Sequence, residues 1–455
     1  MATQPAEISK GLDLWQRETS LLERRVVSAY NISSSGAYYQ DTTPGLAVYV
    51  YGSPGRREMV GGDGDADIIV LEDKGSIQGR TFRRIFTERF KKFDYAKLDL
   101  PEWGTLSDAE LFLDKSLVEG NQVFETRFIR GDESLNQQLS SLKQKYGTLD
   151  RAIKNFFFNR FYLDEYYNRK KKGDATNVKY CRGGSRELLF LSWYNNILEL
   201  YLGIKKGHIE EPASIISARR CRELGLISEE EFFKIISSIG DITTLRTDML
   251  LANKKTEDRG LTFLDDKTIE RLQEMGYPSK QCIMDNFDRN RKTVRSFVDR
   301  IYEEVISIGE ATYGNSWKRT FEMAAQGSLS PTLRIAPGTS DSNLLLMTAL
   351  WGANRIGDKR TFQGLAEQCV STADWSIIGS IVQSQLCSPK LLDYYGRGIA
   401  KSKGYGYLLR VIGRNPNTSK ETLISIARDP NLEERYTSVA QAALNCGIAG
   451  TNNVL

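Results

Sequence analysis

Val48-Tyr49-Val50-Tyr51-Gly52-Ser53-Pro54-Gly55-Arg56-Arg57-Glu58, followed shortly by Gly61-Gly62-Asp63-Gly64-Asp65-Ala66-Asp67-Ile68-Ile69-Val70, is the stretch that decides how the first third of the chain folds. Leu46 to Tyr51 and Ile68 to Leu71 are β-branched and aromatic or aliphatic runs, and the segment between them is glycine-rich and charged, so the order is strand, loop, strand. A Gly-Ser turn leaving a buried strand exposes backbone N–H groups and a hydroxyl, which suits the terminal phosphates of a nucleotide. In Asp65-Ala66-Asp67 the two-residue period of a strand puts both carboxylates on one face. Like charges so close need a cation, and an all-oxygen donor set suits Mg²⁺ or Mn²⁺. Taken alone, Gly61 to Asp67 also reads as a solvated hairpin, because Asp and Gly are common turn residues. The apolar run behind it, the Gly-Ser turn ahead of it and a third carboxylate, Asp99, in the next predicted strand favour the chemical reading.

Outward from this core, Gly11 to Ser28 carries Leu12, Trp15, Leu22 and Val26 near helical spacing. Arg80 to Lys92 predicts a helix with a basic outer face, and Tyr95 to Leu100 a third strand ended by Pro101. A helix is expected from near Ser107, whereas Gln122 to Ile129 fits strand or helix equally. Long helical patterns then dominate, as at Leu149 to Tyr167, Arg186 to Leu202, Glu229 to Ile239 and Asp285 to Ile308. Gly327 to Ser342 has the prolines, glycines and serines of a linker. Beyond it, Cys387 to Leu392 can be laid on Thr418 to Leu423, an offset of 31 residues (387 to 418), which suggests stacked helix pairs.

The expected architecture is an α+β domain over 1–135 with a mixed sheet, an all-α helical domain over 136–326, a linker over 327–342, and an α-helical repeat segment of the HEAT or leucine-rich-variant kind over 343–455. A chain of 455 residues with 40% hydrophobic content has room for these cores. Its charges nearly balance, 62 basic against 58 acidic, so any nucleic-acid contact must come from local patches. The basic runs Arg80 to Lys92 and Arg169 to Lys172 are candidates, although solvated helix faces explain them as well. A single histidine, His208, argues against Ser-His-Asp triads and histidine-ligated zinc or iron. The six widely spaced cysteines read as reduced thiols. Without a charged-then-apolar leader at Met1 to Lys10 or a spanning apolar stretch, a cytoplasmic location and no membrane partner are expected.

These motifs resemble the polymerase-β-like nucleotidyltransferase superfamily, with its Gly-Ser turn, Asp-x-Asp strand and third acidic residue. Within it the likeness is to the PII-protein uridylyltransferase family and its DUF294-type nucleotidyltransferase relatives, without the histidine-aspartate hydrolase and C-terminal sensor domains. The Gly-x-x-Gly-Arg-x-Glu of that family is matched by Gly52, Gly55, Arg56 and Glu58. Leu117 to Asp132, with Glu125, Arg127, Gly131 and Asp132, is similar to another family segment. So are Asn177-Val178-Lys179 with Gly183 to Leu188, and Thr256 to Phe263. The family's third-strand region carries a histidine where Trp103 stands here, and its Gly-Pro before the glycine pair is replaced by Cys181-Arg182.

The resemblance implies transfer of UMP or AMP from an NTP, with Mg²⁺ or Mn²⁺, to a protein acceptor held by the helical or repeat domain, and release of pyrophosphate. Asp65, Asp67 and Asp99 are the expected metal ligands and catalytic residues, with Glu125 in reserve for Asp99. Gly52 and Ser53 are expected at the β- and γ-phosphates, and Arg56 either supports them or braces the loop. Lys179, Gly183, Gly184 and Arg186 are expected to close over the triphosphate, the glycine pair offering free N–H groups before a helix starting near Ser185; tight packing is the competing reading. Asp258 and Arg259 read as a structural ion pair. Two other functions remain open: transfer to an RNA or tRNA 3′ end in a toxin or defence role, and a nucleotide-binding regulator without catalysis.

Overall fold

A computed structural model describes residues 6–36, 45–58, 66–73, 77–93, 98–99, 104–115, 117–169, 176–179, 181–204, 211–253, 263–329, 335, 338–371, 374–399, 406–429, 432 and 434–445. These are mostly helical, with a small sheet near the N-terminus, compatible with a mixed N-terminal domain followed by helical ones. By internal contacts the chain divides into two units. One holds Met1–Glu110, Asn121–Phe156 and Leu163–Ser307, and the other Leu111–Gly120, Phe157–Tyr162 and Ile308–Leu455.

In the first unit, helix α1 (Ala6–Gly36) runs longer than its predicted span and is followed by β1 (Leu46–Val50). A single helical turn, α2 (Gly52–Gly55), leads on to β2 (Ala66–Glu72), α3 (Ile77–Phe90) and the two-residue β3 (Leu98–Asp99). Helix α4 (Leu106–Lys115) comes next. The ambiguous stretch around 122–129 is both things in turn: α5 (Val118–Phe124) and then β4 (Arg127–Gly131). Periodicity could not separate them because each is only one or two turns or pleats long.

The sheet order is β3-β2-β1-β4. β1 is antiparallel to both neighbours, β3 is parallel to β2, and a bulge at Val48/Tyr49 shifts the register towards β4. Pairing of Val50 with Ile68 and of Val48 with Val70 puts these residues on one face. They form a buried core with Leu22, Val26, Ala29 and Tyr30 of α1 and Phe82, Phe86 and Phe90 of α3. The three phenylalanines recur every fourth residue, so they line one helix face and stack with centroids 5.9 and 5.8 Å apart. By the same alternation Asp67, next to Ile68, falls on the opposite face.

The helical part of this unit holds α6 (Glu133–Tyr146), α7 (Leu149–Arg169) apart from Phe157–Tyr162, α8 (Leu188–Tyr201), α9 (Ala213–Glu223), α10 (Glu229–Ala252), α11 (Asp266–Glu274) and most of α12 (Lys280–Tyr313). Helix α10 starts with a capping box, Ser228 with Glu231, and runs well past the predicted Ile239.

The second unit contains α13 (Asn315–Ala325), α14 (Ser340–Ile356), α15 (Lys359–Gln368), α16 (Trp375–Gln383), α17 (Pro389–Ile399), α18 (Gly406–Arg414), α19 (Lys420–Ala427) and α20 (Glu434–Asn445). The starts of α16 and α18 are 31 residues apart (375 to 406), as are those of α17 and α19 (389 to 420). The first turns of α15, α17 and α19 are capped alike, with Asp358, Ser388 and Ser419 each accepting from the amide three residues on. Buried Asn415 donates to the carbonyls of Val382 and Ser384 at 2.7 and 2.8 Å, tying the end of α18 to the end of α16. Among the described residues no helix is long and apolar enough to cross a membrane.

Phe86 is fully buried in the core shared by α1, α3 and the sheet. Phe86→Ala is expected to cost about 3–5 kcal/mol, measured by denaturant unfolding; a loss below about 1 kcal/mol would contradict this core.

Candidate active site

Asp67 is half-buried, the one residue from Ala66 to Leu71 that is not buried. The parallel register pairs Asp67 with Asp99 on the neighbouring strand, bringing the backbone of the two predicted acidic positions side by side. Asp65 lies outside the described residues, as do Trp103, His208, Asp258 and Arg259, and Asp99 is described by its backbone alone. Among the described residues no cluster of three or more metal-binding side chains occurs.

The turn after β1 sits against Asp67. Tyr51 N–H donates to the Asp67 carbonyl at 3.1 Å, and Gly52 takes φ +58°, a left-handed conformation that favours glycine. A Cβ at Gly52 would lie 2.5 Å from Asp67 Oδ2, so the carboxylate rests directly over the glycine. As the first residues of a helical turn, Gly52 and Ser53 have no intrahelical partner for their N–H groups. Both are half-buried, and the hydroxyl of Ser53 is on the same turn.

Arg56 braces this turn. Its Nε donates to Glu58 Oε2 at 3.1 Å and its Nη1 to Glu125 Oε2, with the three side chains 10%, 6% and 13% exposed. Burial alone would lower the guanidinium's pKa, but the carboxylates of Glu125 and Glu58, with Asp67 beyond them, hold it above its ordinary value. Of the two roles expected for Arg56, this is the bracing one. Glu125 Oε1 accepts from Trp193 Nε1 of α8 at 3.3 Å, so both oxygens of the reserve carboxylate are engaged in holding the loop.

In the second predicted group, Lys179, Gly183, Gly184 and Arg186, the two glycines are buried and closely packed. The Gly183 N–H donates to Glu187 Oε2 at 2.8 Å, Gly184 to the Cys181 carbonyl at 2.9 Å, Ser185 to Val178 at 2.9 Å and Arg186 to Lys179 at 2.9 Å. The expected free N–H groups are therefore used within the loop, and α8 begins at Leu188 rather than near Ser185. Gly183 has φ +82°, and a Cβ there would come 1.8 Å from the carbonyl oxygen of Arg291 in α12. The side chain of Arg186 is exposed. Two of the sequence motifs nonetheless meet: Asn177 bridges antiparallel to Phe263, and Leu264 N–H donates to the Thr176 carbonyl at 2.9 Å.

Residues not singled out from sequence complete the loop's surroundings. Glu58 accepts from the Ser214 amide at 2.9 Å, and Trp193 and the start of α9 close the cluster. Glu58 belonged to a quoted motif, so the Arg-x-Glu spacing was a usable signal; nothing in the sequence marked Trp193 or Ser214.

Substituting Gly183 by Ala forces a backbone clash and a strained φ, so Gly183→Ala is expected to lower the melting temperature by several degrees, about 1–3 kcal/mol of strain. Exposed Arg186→Ala should leave it unchanged. An unaltered melt for Gly183→Ala would contradict the packing role.

No curated protein matches the chain. Residues 158–306 match the family model described as GlnD PII-uridylyltransferase, a span from α7 to α12 that includes both meeting motifs, Trp193 and Ser214, and excludes the Gly52 to Asp67 stretch. Through that match the chain is related to the GlnD PII-uridylyltransferase family, and nucleotidyl transfer is the general chemistry the match supports.

Proposed function

We propose that the chain transfers a nucleoside monophosphate, UMP or AMP, from an NTP to a hydroxyl of a protein acceptor. The observation that carries this reading is the pairing of Asp67 with Asp99 beside the Gly52-Ser53 turn, in a chain whose helical segment matches a uridylyltransferase model. The description of that family names PII as the protein modified, which favours a protein acceptor and UMP.

Asp65, Asp67 and Asp99 are the proposed ligands of Mg²⁺ or Mn²⁺. The residue types fit such an ion, since carboxylates offer hard oxygen donors, and half-buried Asp67 is paired through its backbone with Asp99 on the neighbouring strand. When bound, the ion offsets the repulsion among these carboxylates and polarises the α-phosphate. The amides of Gly52 and Ser53 and the Ser53 hydroxyl hold the β- and γ-phosphates in line. Asp99 accepts the proton of the acceptor hydroxyl at a carboxylate oxygen. A bond then forms from that hydroxyl oxygen to the α-phosphorus, the bond to the β-phosphate bridging oxygen breaks, and pyrophosphate leaves.

Residues 343–455 are proposed to form an α-solenoid that recruits the acceptor. The 31-residue recurrence of helix starts (375 to 406, 389 to 420) and the Asn415 bonds from one helix end to the previous one support stacked pairs.

Incubation with each α-³²P-labelled NTP, Mg²⁺ or Mn²⁺ and host lysate tests the reading. A labelled, protease-sensitive product is expected, reduced at least about 100-fold by Asp67→Asn or Asp99→Asn, the upper end of what loss of even a supporting metal-site group costs. An RNase-sensitive product would move the acceptor to RNA. No labelled product, with NTP still bound, would overturn transfer in favour of a regulator.

A further inference from the structure

We propose that Glu58 is a positioning residue through which the start of α9 sets the Gly52-Ser53 turn, a proposal that rests on that turn holding phosphates. Two parallel chains of hydrogen bonds make the link. In the first, Ala213 N–H donates to the Arg56 carbonyl at 3.3 Å and Arg56 N–H to the Gly52 carbonyl at 3.0 Å. In the second, Ser214 N–H donates to Glu58 Oε1 at 2.9 Å and Glu58 N–H to the Ser53 carbonyl at 2.8 Å. The first two amides of α9 are thus each two bonds away from one residue of the turn.

Charge makes this docking obligatory. One buried guanidinium faces a buried carboxylate, Glu58, and a half-buried one, Glu125, so Arg56 alone does not neutralise the pair. The positive end of α9 at Glu58 and the indole N–H of Trp193 at Glu125 supply the missing compensation. Both come from the helical segment, so the cluster is satisfied only with α8 and α9 seated on the loop.

Backbone strain points the same way. Arg57, between the two linking residues, has φ +59°, the one non-glycine residue with positive φ among those described. A conformation of this kind persists where the surroundings over-determine it. Gly55 adds a steric stop, since a Cβ there would lie 2.1 Å from the Glu125 carbonyl oxygen. The turn is therefore held from α9 through Glu58 and from Glu125, two residues before β4, through Arg56, and its geometry follows theirs.

Amide hydrogen exchange of the full chain without substrate, compared with steady-state kinetics, tests the role. In Glu58→Ala the Arg56 and Glu58 amides are expected to exchange at least about 10-fold faster relative to Val48, the loss expected of one charge-assisted hydrogen bond. NTP KM should rise by a similar factor with kcat changed less, and Glu58→Gln, which keeps an acceptor for Ser214, should restore most of the KM. Equal acceleration at Val48, or unchanged exchange and KM, would overturn the proposal. If Glu58→Ala does not fold, Trp193→Phe, which removes the indole donor to Glu125, is expected to accelerate the same amides a few-fold, and no acceleration would overturn it. Absence of transfer by the wild type would instead count against the catalytic reading, leaving the exchange result to decide this one.

Discussion

One guanidinium held between a buried carboxylate, Glu58, and a half-buried one, Glu125, organises the N-terminal half of this protein. Arg56 cannot leave Glu58 or Glu125 without stranding a charge in a nearly dry environment, a loss of about 3–5 kcal/mol for a broken buried pair. It therefore fixes the loop after β1 to Glu125, in the short link between α5 and β4, and through Glu58 to the first amides of α9. The sheet supplies the other constraint. With α1 and α3 packed on one face, the alternation of β2 leaves Asp67 on the other, next to a glycine whose missing side chain makes the space it occupies.

The ingredients of the site thus come from different parts of the chain for different reasons. The strands bring the two acidic positions side by side, because their register pairs the backbone of Asp67 with that of Asp99. The helical segment does not donate the Gly183-Gly184 amides to a ligand, since these are already bonded within the loop and Gly183 is pressed against α12. Its contribution at the loop is the docking of Trp193 and the start of α9. This gives a physical sense to a family match that covers the helices and not the acidic strand.

Much of this was legible in the residues themselves. Strands β1 and β2 follow from dense β-branched runs, and the long helices follow from apolar spacing sustained over many turns. Short elements were not: α5 and β4 share a stretch too brief for periodicity to sort, and α8 starts later than Ser185 because the preceding amides bond back into their own loop. The roles of Glu58, Trp193 and Ser214 were hidden for a different reason. They are tertiary, depending on residues far apart in the chain that no local pattern connects: Trp193 and Glu125 are separated by 68 positions, and Ser214 and Glu58 by 156. Arg56 shows the boundary between the two cases, since its motif marked it as important while only its partners distinguish a brace from a phosphate ligand.

The most direct test of the account is a crystal structure of the chain with Mn²⁺ and a non-hydrolysable NTP analogue. The account predicts anomalous density for Mn²⁺ touching the carboxylates of both Asp67 and Asp99, and the terminal phosphates on the Gly52 and Ser53 amides. Nucleotide bound elsewhere, for example against the Gly183 to Arg186 loop with no metal at Asp67, would contradict it.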